Sequence, residues 1–135
     1  MRLSKKSFFD RGQGKVSEAI ELYEQSLEIQ KAIGHQEGIA ATLHCLAYVY
    51  TDLGKMSEAI DLYQQSLEIQ KAIGNQEGIA ISLYMLGQIL AIHQGDFDTA
   101  FDYLQQSEVI LRHIGSPIAD QVVGSIQSLA EIRSP

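Results

Sequence analysis

The sequence contains a single cysteine, Cys45, and no apolar run of the roughly 18 to 20 residues that cross a membrane. With one thiol, no disulfide can form within the chain and no thiolate cage can hold a metal. Near the start, Phe8 and Phe9 are followed by Asp10 and Arg11, where a signal peptide would continue its apolar stretch. The sequence therefore predicts a soluble, cytoplasmic protein.

Positive charge is scarce beyond the start of the chain. The first eleven residues contain four basic and one acidic residue, whereas the remainder contains six basic and sixteen acidic residues. A protein that binds nucleic acid needs a basic face that releases counterions from phosphates. The acidic body argues against nucleic acid as a partner and favours a protein partner of neutral to basic character. Because the sequence has no membrane-crossing run, no membrane is expected among its partners. We interpret the basic leader as a solvated terminus.

The strongest signal is an internal repeat with a period of 40 residues. Residues 14–40 return at 54–80 with 23 of 27 positions identical. Self-similarity at a fixed spacing of this size indicates one supersecondary unit stacked on copies of itself, because a single unit cannot bury its own apolar face. The repeat therefore predicts a short solenoid.

Glycines separate the helical patterns of this repeat, and a glycine just past a helix end supplies the left-handed conformation that terminates it. These glycines are Gly14, Gly34, Gly54, Gly74, Gly95 and Gly115. Three residues after a glycine, Ser17, Ser57 and Asp98 are predicted N-caps. Ser116 followed by Pro117 predicts the start of the last helix.

Two kinds of helix alternate along the chain. First-type helices are predicted at about residues 37–53, 77–93 and 117–132, and second-type helices at about 17–33, 57–73 and 98–114. In the first type, Leu43, Leu46, Ala47 and Tyr50 share one face at helical spacing. The second type carries Ala19, Tyr23 and Leu27 on its apolar stripe.

The repeats predict one domain, residues 1–135, with about three and a half units. Residues 14–53 and 54–94 form two near-identical units, 95–115 hold the third second-type helix and 116–135 a C-terminal capping helix. The polar face of that last helix, suited to closing the array against water, comprises Asp120, Gln121, Gln127, Ser128 and Glu131. Residues 1–13 are expected to be a degraded or truncated first helix, because Lys6 and Ser7 occupy positions that need apolar side chains.

A glycine followed by Ala, an aromatic residue and a small residue at fixed spacing, here Gly54, Ala59, Tyr63 and Ser66, resembles the second helix of a tetratricopeptide repeat. The family has a period of about 34 residues. The longer period found here is similar to the repeats of kinesin light chains and of bacterial multi-repeat regulators. The resemblance implies an all-α fold, a right-handed solenoid of antiparallel helix pairs whose first-type helices line the inner, concave side.

No catalytic constellation is evident, and the sequence predicts neither an enzyme nor a cofactor. Gly14 and Lys15 are followed by Val16, where a phosphate-binding loop needs serine or threonine. His44 and Cys45 are adjacent, but neighbouring residues on a helix do not face each other. The four histidines fall in different repeats and never pair at helical spacing, so no metal site is predicted.

The candidate ligand groove is the face of the first-type helices next to their core stripe. Residues 41–53 and 81–93 agree only at two core leucines, although the preceding 27 positions nearly all agree. Such a difference is expected of a surface individualised for a ligand, the alternative being drift on an unused face. A carboxylate clamp is disfavoured, because these two helices carry no Lys, Arg or Asn. The predicted groove residues are Ala41, His44, Tyr48, Thr51, Ile81, Tyr84, Gln88 and Gln127.

The sequence thus favours a non-catalytic protein-interaction scaffold that binds a peptide or amphipathic helix on its concave face. The alternative is a structural or self-associating segment without a groove ligand. Its open ends would then stack on other copies, giving a homo-oligomer, or belong to a larger signalling protein.

Overall fold

The structure, a computed structural model, describes residues 5–133, and for residues 5–11 and 13 it describes the backbone alone. The described residues form six helices and no strand, which confirms the predicted all-α solenoid. The helices are α1 (Lys5–Ile33), α2 (Gln36–Asp52), α3 (Met56–Ile73), α4 (Gln76–Gln94), α5 (Phe97–His113) and α6 (Ile118–Arg133).

Consecutive helices pack side by side in antiparallel fashion, because turns of only two to four residues join them. The tightest pairs are α2 with α3 and α4 with α5, and each pair packs on the next helix along the chain. The first-type helices α2, α4 and α6 follow one another along one side of the array. The second-type helices α1, α3 and α5 follow along the other side.

A continuous core runs through the array, as expected when each unit buries the apolar face of its neighbour. Tyr63, Leu86 and Leu104 are fully buried where the pairs meet. Two buried serines repeat the same hydrogen bond, from Ser66 Oγ to the carbonyl oxygen of Ala40 at 2.9 Å and from Ser107 Oγ to that of Ala80 at 2.7 Å. The two pairs are therefore in register.

Glycines end the helices as predicted, with one exception. The residues with φ between 66° and 78° are Gly34, Gly54, Gly74, Gly95 and Gly115. Gly14, by contrast, lies inside α1, which continues through it. The same local sequence is therefore a turn at Gly54 and a helix at Gly14. At Gly54 the chain must reverse, because α2 packs on α3.

The predicted N-caps Ser17, Ser57 and Asp98 are wrong. Ser17 lies within α1, and α3 and α5 begin one residue before Ser57 and Asp98. The cap of α5 is Asp96, whose carboxylate accepts a hydrogen bond from the Thr99 amide at 3.2 Å. Asn75 caps α4 in the same way through the Gly78 amide at 3.0 Å. Asparagine and aspartate directly after the glycine were the better signal.

The last helix begins close to its predicted start. Ser116 Oγ accepts a hydrogen bond from the Ile118 amide at 3.2 Å, and α6 starts one residue after Pro117. At the other end, residues 5–13 form the first part of α1 and not a separate helix. Residues 1–4 of the predicted first helix lie outside the described residues. Among the helices that the structure describes, none combines the length and the apolar character needed to cross a membrane.

Candidate functional site

A groove of about 560 Å³ lies between α4 and α6 on the side formed by the first-type helices. One wall comes from α4 and the other from α6. The lining residues are Tyr84, Gln88, Ile92, Gln121, Gly124, Ser125, Ser128, Leu129 and Ile132. Among these described residues none carries a formal charge at neutral pH.

The groove is open because α6 carries small side chains where α4 carries large ones. Buried Ala80 and Leu90 of α4 correspond to Ala119 and Leu129 of α6, which sets the register between the two helices. In that register Met85, Leu86 and Ile89 are replaced in α6, residue for residue. Their counterparts are Gly124, Ser125 and Ser128.

At the preceding junction, between α2 and α4, these large side chains fill the space. Leu86 and Ile89 belong to the buried core that α4 forms with Ala47 of α2 and with residues of α3, and Met85 packs against this core. The cavity that remains at that junction has a volume of about 240 Å³ and is lined in part by Thr51, Met85 and Ile89. The wider groove between α4 and α6 therefore results from truncated side chains on α6.

Hydrogen bonds cross the floor of the groove. Gln88 Nε2 donates to Ser125 Oγ at 3.3 Å, and Ser125 Oγ donates to the Tyr84 hydroxyl at 3.4 Å. At the carboxyl ends of the two helices, Ile92 and Ile132 are 80% and 67% exposed. The groove thus combines neutral hydrogen-bonding groups with an apolar end.

The predicted groove residues on α4 lie on the groove side of that helix. Tyr84 and Gln88 line the groove, and Ile81 is half-buried one turn before them. Gln88 and Ile92 also line the smaller cavity between α2 and α4. The two cavities therefore adjoin along α4.

The predicted residues on α2 divide between two surroundings. His44 is turned toward α3, where its ring meets that of Tyr63 edge to face at a centroid distance of 5.2 Å. Burial lowers the pKa of His44. Thr51 lines the smaller cavity and donates its hydroxyl to the carbonyl oxygen of Ala47 at 2.9 Å. Tyr48, with 54% of its surface exposed, and Ala41 remain open to solvent.

Gln127 is exposed and does not line the groove. Gln127 is the counterpart of Gln88, and Gln88 faces α6, the next first-type helix. No first-type helix beyond α6 is present among the described residues, so Gln127 has no such helix to face. The groove wall instead uses Gln121 and Ser128, which the sequence had assigned to a capping face. An alignment of α6 with α4 could have indicated this wall, because three large apolar residues of α4 correspond to glycine and serine in α6.

The described residues contain no group of three or more His, Cys, Asp or Glu side chains that could hold a metal ion. Cys45 is half-buried, and its proximity to the Tyr23 hydroxyl raises the pKa of that phenol. His44 points to Tyr63 instead. The adjacent His44 and Cys45 therefore do not form a nucleophile and base.

The model of the tetratricopeptide repeat matches residues 38–112, more than half of the chain. The chain belongs to the tetratricopeptide repeat family. No curated protein matches it. Tetratricopeptide repeats are typically non-catalytic scaffolds for interactions between proteins. The similarity to kinesin light chains stays a prediction.

Proposed function

We propose that this tetratricopeptide repeat array is a non-catalytic scaffold that holds a peptide or amphipathic helix of a partner protein on its concave face. That face is formed by α2, α4 and α6. The observation that carries the proposal is the groove between α4 and α6, where Gly124, Ser125 and Ser128 of α6 stand in place of the larger Met85, Leu86 and Ile89 of α4. A pocket with few convergent polar groups and an apolar part is the usual form of a binding site.

The charge of the protein supports a neutral to basic partner. The net charge is −7, and the described groove residues add no positive charge to it. A basic partner would be attracted over a distance, and added salt would slow its association. Tyr48 and Tyr84 offer aromatic surface with a polar tip, which suits contact with a peptide.

Site-specific photo-crosslinking tests this proposal. A photoreactive phenylalanine analogue replaces Gln88 in the groove in one variant and the exposed Gln105 of α5 in a matched control. In an extract of the cells that make the protein, we expect the probe at Gln88 to trap a discrete partner and the probe at Gln105 not to trap it. A partner trapped equally at both positions, or at neither, would contradict the assignment of the concave face.

A second candidate function is self-association through α1. Its residues Leu22, Ile29 and Ile33 are 62%, 63% and 71% exposed, whereas in α3 the matching Leu62 and Ile69 are half-buried and Ile73 is 36% exposed. A second copy would cover this stripe. Sedimentation velocity over a concentration series tests it, with Leu22→Gln and Ile29→Gln combined as the control variant. A wild-type protein that stays monomeric throughout would rule this function out.

A further inference from the structure

Comparison of α4 with α6 shows which side chains are missing from the groove. Between α2 and α4, the side chains of Met85, Leu86 and Ile89 occupy the junction. Between α4 and α6, their counterparts are too small to do so. In the register set by Ala80 with Ala119 and Leu90 with Leu129, α6 therefore lacks three apolar side chains of about leucine size that α4 carries.

We propose that the groove between α4 and α6 binds an extended, uncharged peptide segment that inserts a Leu, Ile or Met side chain where α6 lacks its own. The proposal rests on the proposed function, in which the concave face holds a partner protein, and it names the chemistry of the bound segment. The partner thereby contributes the apolar side chain that α4 contributes at the preceding junction and that α6 lacks.

The apolar character of the inserted side chain follows from the groove's lining. Leu129 at its base belongs to the buried core, and Ile92 and Ile132 flank its open end. A side chain of leucine size placed among them would remove apolar surface from water on both partners, which is the main favourable contribution to such binding.

The uncharged character follows from the polar groups. The side chains of Gln88, Gln121, Ser125 and Ser128 provide neutral donors and acceptors, and the described groove residues include no ionised group. A charged side chain entering the groove would lose hydration without gaining an opposite charge. An aspartate or lysine at the inserted position is therefore disfavoured.

The extended conformation follows from the same groups. Glutamine amides both donate and accept, so they match the free N–H and C=O groups of an extended backbone. In a helix those backbone groups are already bonded to one another. An extended segment therefore gains contacts in this groove that a helix cannot.

Three synthetic pentapeptides test the chemistry directly: acetyl-Gly-Ser-Leu-Ser-Gly-amide and its versions with Asp or Lys in place of Leu. In amide ¹H–¹⁵N spectra of the full chain, we expect the Leu peptide to shift the signals of Gly124, Ser125 and Ser128 saturably. The Asp and Lys peptides should bind at least about tenfold more weakly. Equal affinity for the three, or no saturable shift with the Leu peptide up to about 5 mM, would overturn the proposal.

A variant that fills the groove with the chain's own residues provides the second test. Gly124→Met combined with Ser128→Ile copies α4 into α6, and a methyl group at Gly124 meets no atom within 4 Å. We expect this variant to keep its helical spectrum and to lose binding of the Leu peptide. The matched control, Gln127→Met on the exposed side of α6, should bind as the wild type does. Undiminished binding by the filled variant would overturn the proposal.

The outcomes separate this inference from the proposed function. If the probe at Gln88 traps a partner but the Leu peptide binds no better than the Asp and Lys peptides, the concave face binds and the chemistry named here is wrong. If the probe traps no partner, the proposed function fails whatever the pentapeptides do.

Discussion

Tyr63 shows how a single buried group limits stability at alkaline pH. The side chain is fully buried against α2, and its hydroxyl has no hydrogen-bond partner in the described part of the chain. Burial raises the pKa of Tyr63 from 10.0 to about 12. The folded state therefore keeps the proton at pH values where the unfolded chain has lost it. Stability that is fully present below pH 10 is lost as the pH rises toward 12.

Replacing Tyr63 with Phe is expected to remove this loss. Because the hydroxyl has no partner, Tyr63→Phe should also raise the free energy of unfolding at pH 7 by about 1 kcal/mol. At pH 11 the advantage over the wild type should grow by about 1 kcal/mol more. Urea unfolding at pH 7, 10 and 11 measures both effects. Tyr48→Phe, at the exposed Tyr48 of α2, is the control. An advantage of Tyr63→Phe over the wild type that is the same at every pH would refute the account.

At the scale of the helices, one small residue sets how closely α4 approaches α5. A methyl group at Gly87 would lie 3.0 Å from Leu104 Cγ and 3.2 Å from the carbonyl oxygen of Ala100. The counterpart of Gly87 in α2 is Ala47, which is fully buried. In α6 the counterpart is Ile126, which is half-buried and packs against the core that α6 shares with α4 and α5. The close approach of α4 to α5 thus depends on glycine at position 87.

Gly87→Val is therefore expected to lower the free energy of unfolding by about 2 kcal/mol or more, since the added methyl groups overlap Leu104 and the α5 backbone. Gly124→Val in α6 places the same side chain in open space, and we expect no loss there. Chemical denaturation of the two variants measures the difference. Equal losses in both would show that valine disturbs the helices themselves and not their packing.

The paired serines allow a second comparison between helices. Ser66 is buried and bonded to the Ala40 carbonyl oxygen, whereas the equivalent Ser26 of α1 is exposed. Ser66→Ala should cost about 1 kcal/mol, because it leaves that bond unmade. Ser26→Ala should change stability by less than about 0.5 kcal/mol. Thermal unfolding of the two variants checks this, and a larger loss for Ser26→Ala would contradict the described surroundings of α1.

The helices could be predicted from the sequence to within about two residues, apart from the start of α1, because their apolar faces follow the helical period. The prediction of a turn at Gly14 was wrong because the residues around Gly14 resemble those around Gly54. Only the packing of the neighbouring helices determines that the chain turns at Gly54 and stays helical at Gly14. Of the predicted groove residues, Tyr84 and Gln88 line the space between α4 and α6 and Gln127 does not, since the side of α6 that meets α4 depends on the neighbouring helix and not on α6 alone. That a ligand binds there stays a prediction.

At the scale of the whole molecule, the array is a row of neighbours with unequal ends. Among the described helices, α2, α3, α4 and α5 each pack on two sequence neighbours, whereas α1 packs on α2 and α6 mainly on α5. In such a row, stability is approximately the sum of the units and of the interfaces between neighbours. The end helices α1 and α6 are therefore stabilised by fewer interfaces than the central helices are.

Amide hydrogen exchange should follow this order. We expect the central amides of α3 and α4 to exchange most slowly and those of α1 and α6 at least about tenfold faster, since opening an end breaks one interface only. Exchange measured by mass spectrometry at pH 7 resolves the helices. Uniform protection across all six would mean that the array opens only as one cooperative unit.

The near-identity of α1 and α3 has a consequence for how the chain finds its order during folding. Residues 14–40 and 54–80 share 23 of 27 positions, so a nascent α4 meets on α1 almost the same side chains that it meets on α3. A compact state that skips one unit and extrudes it as a loop would satisfy most of the same contacts. What disfavours this kinetic trap is connectivity: turns of two to four residues bring each helix to its sequence neighbour before any duplicate comes within reach.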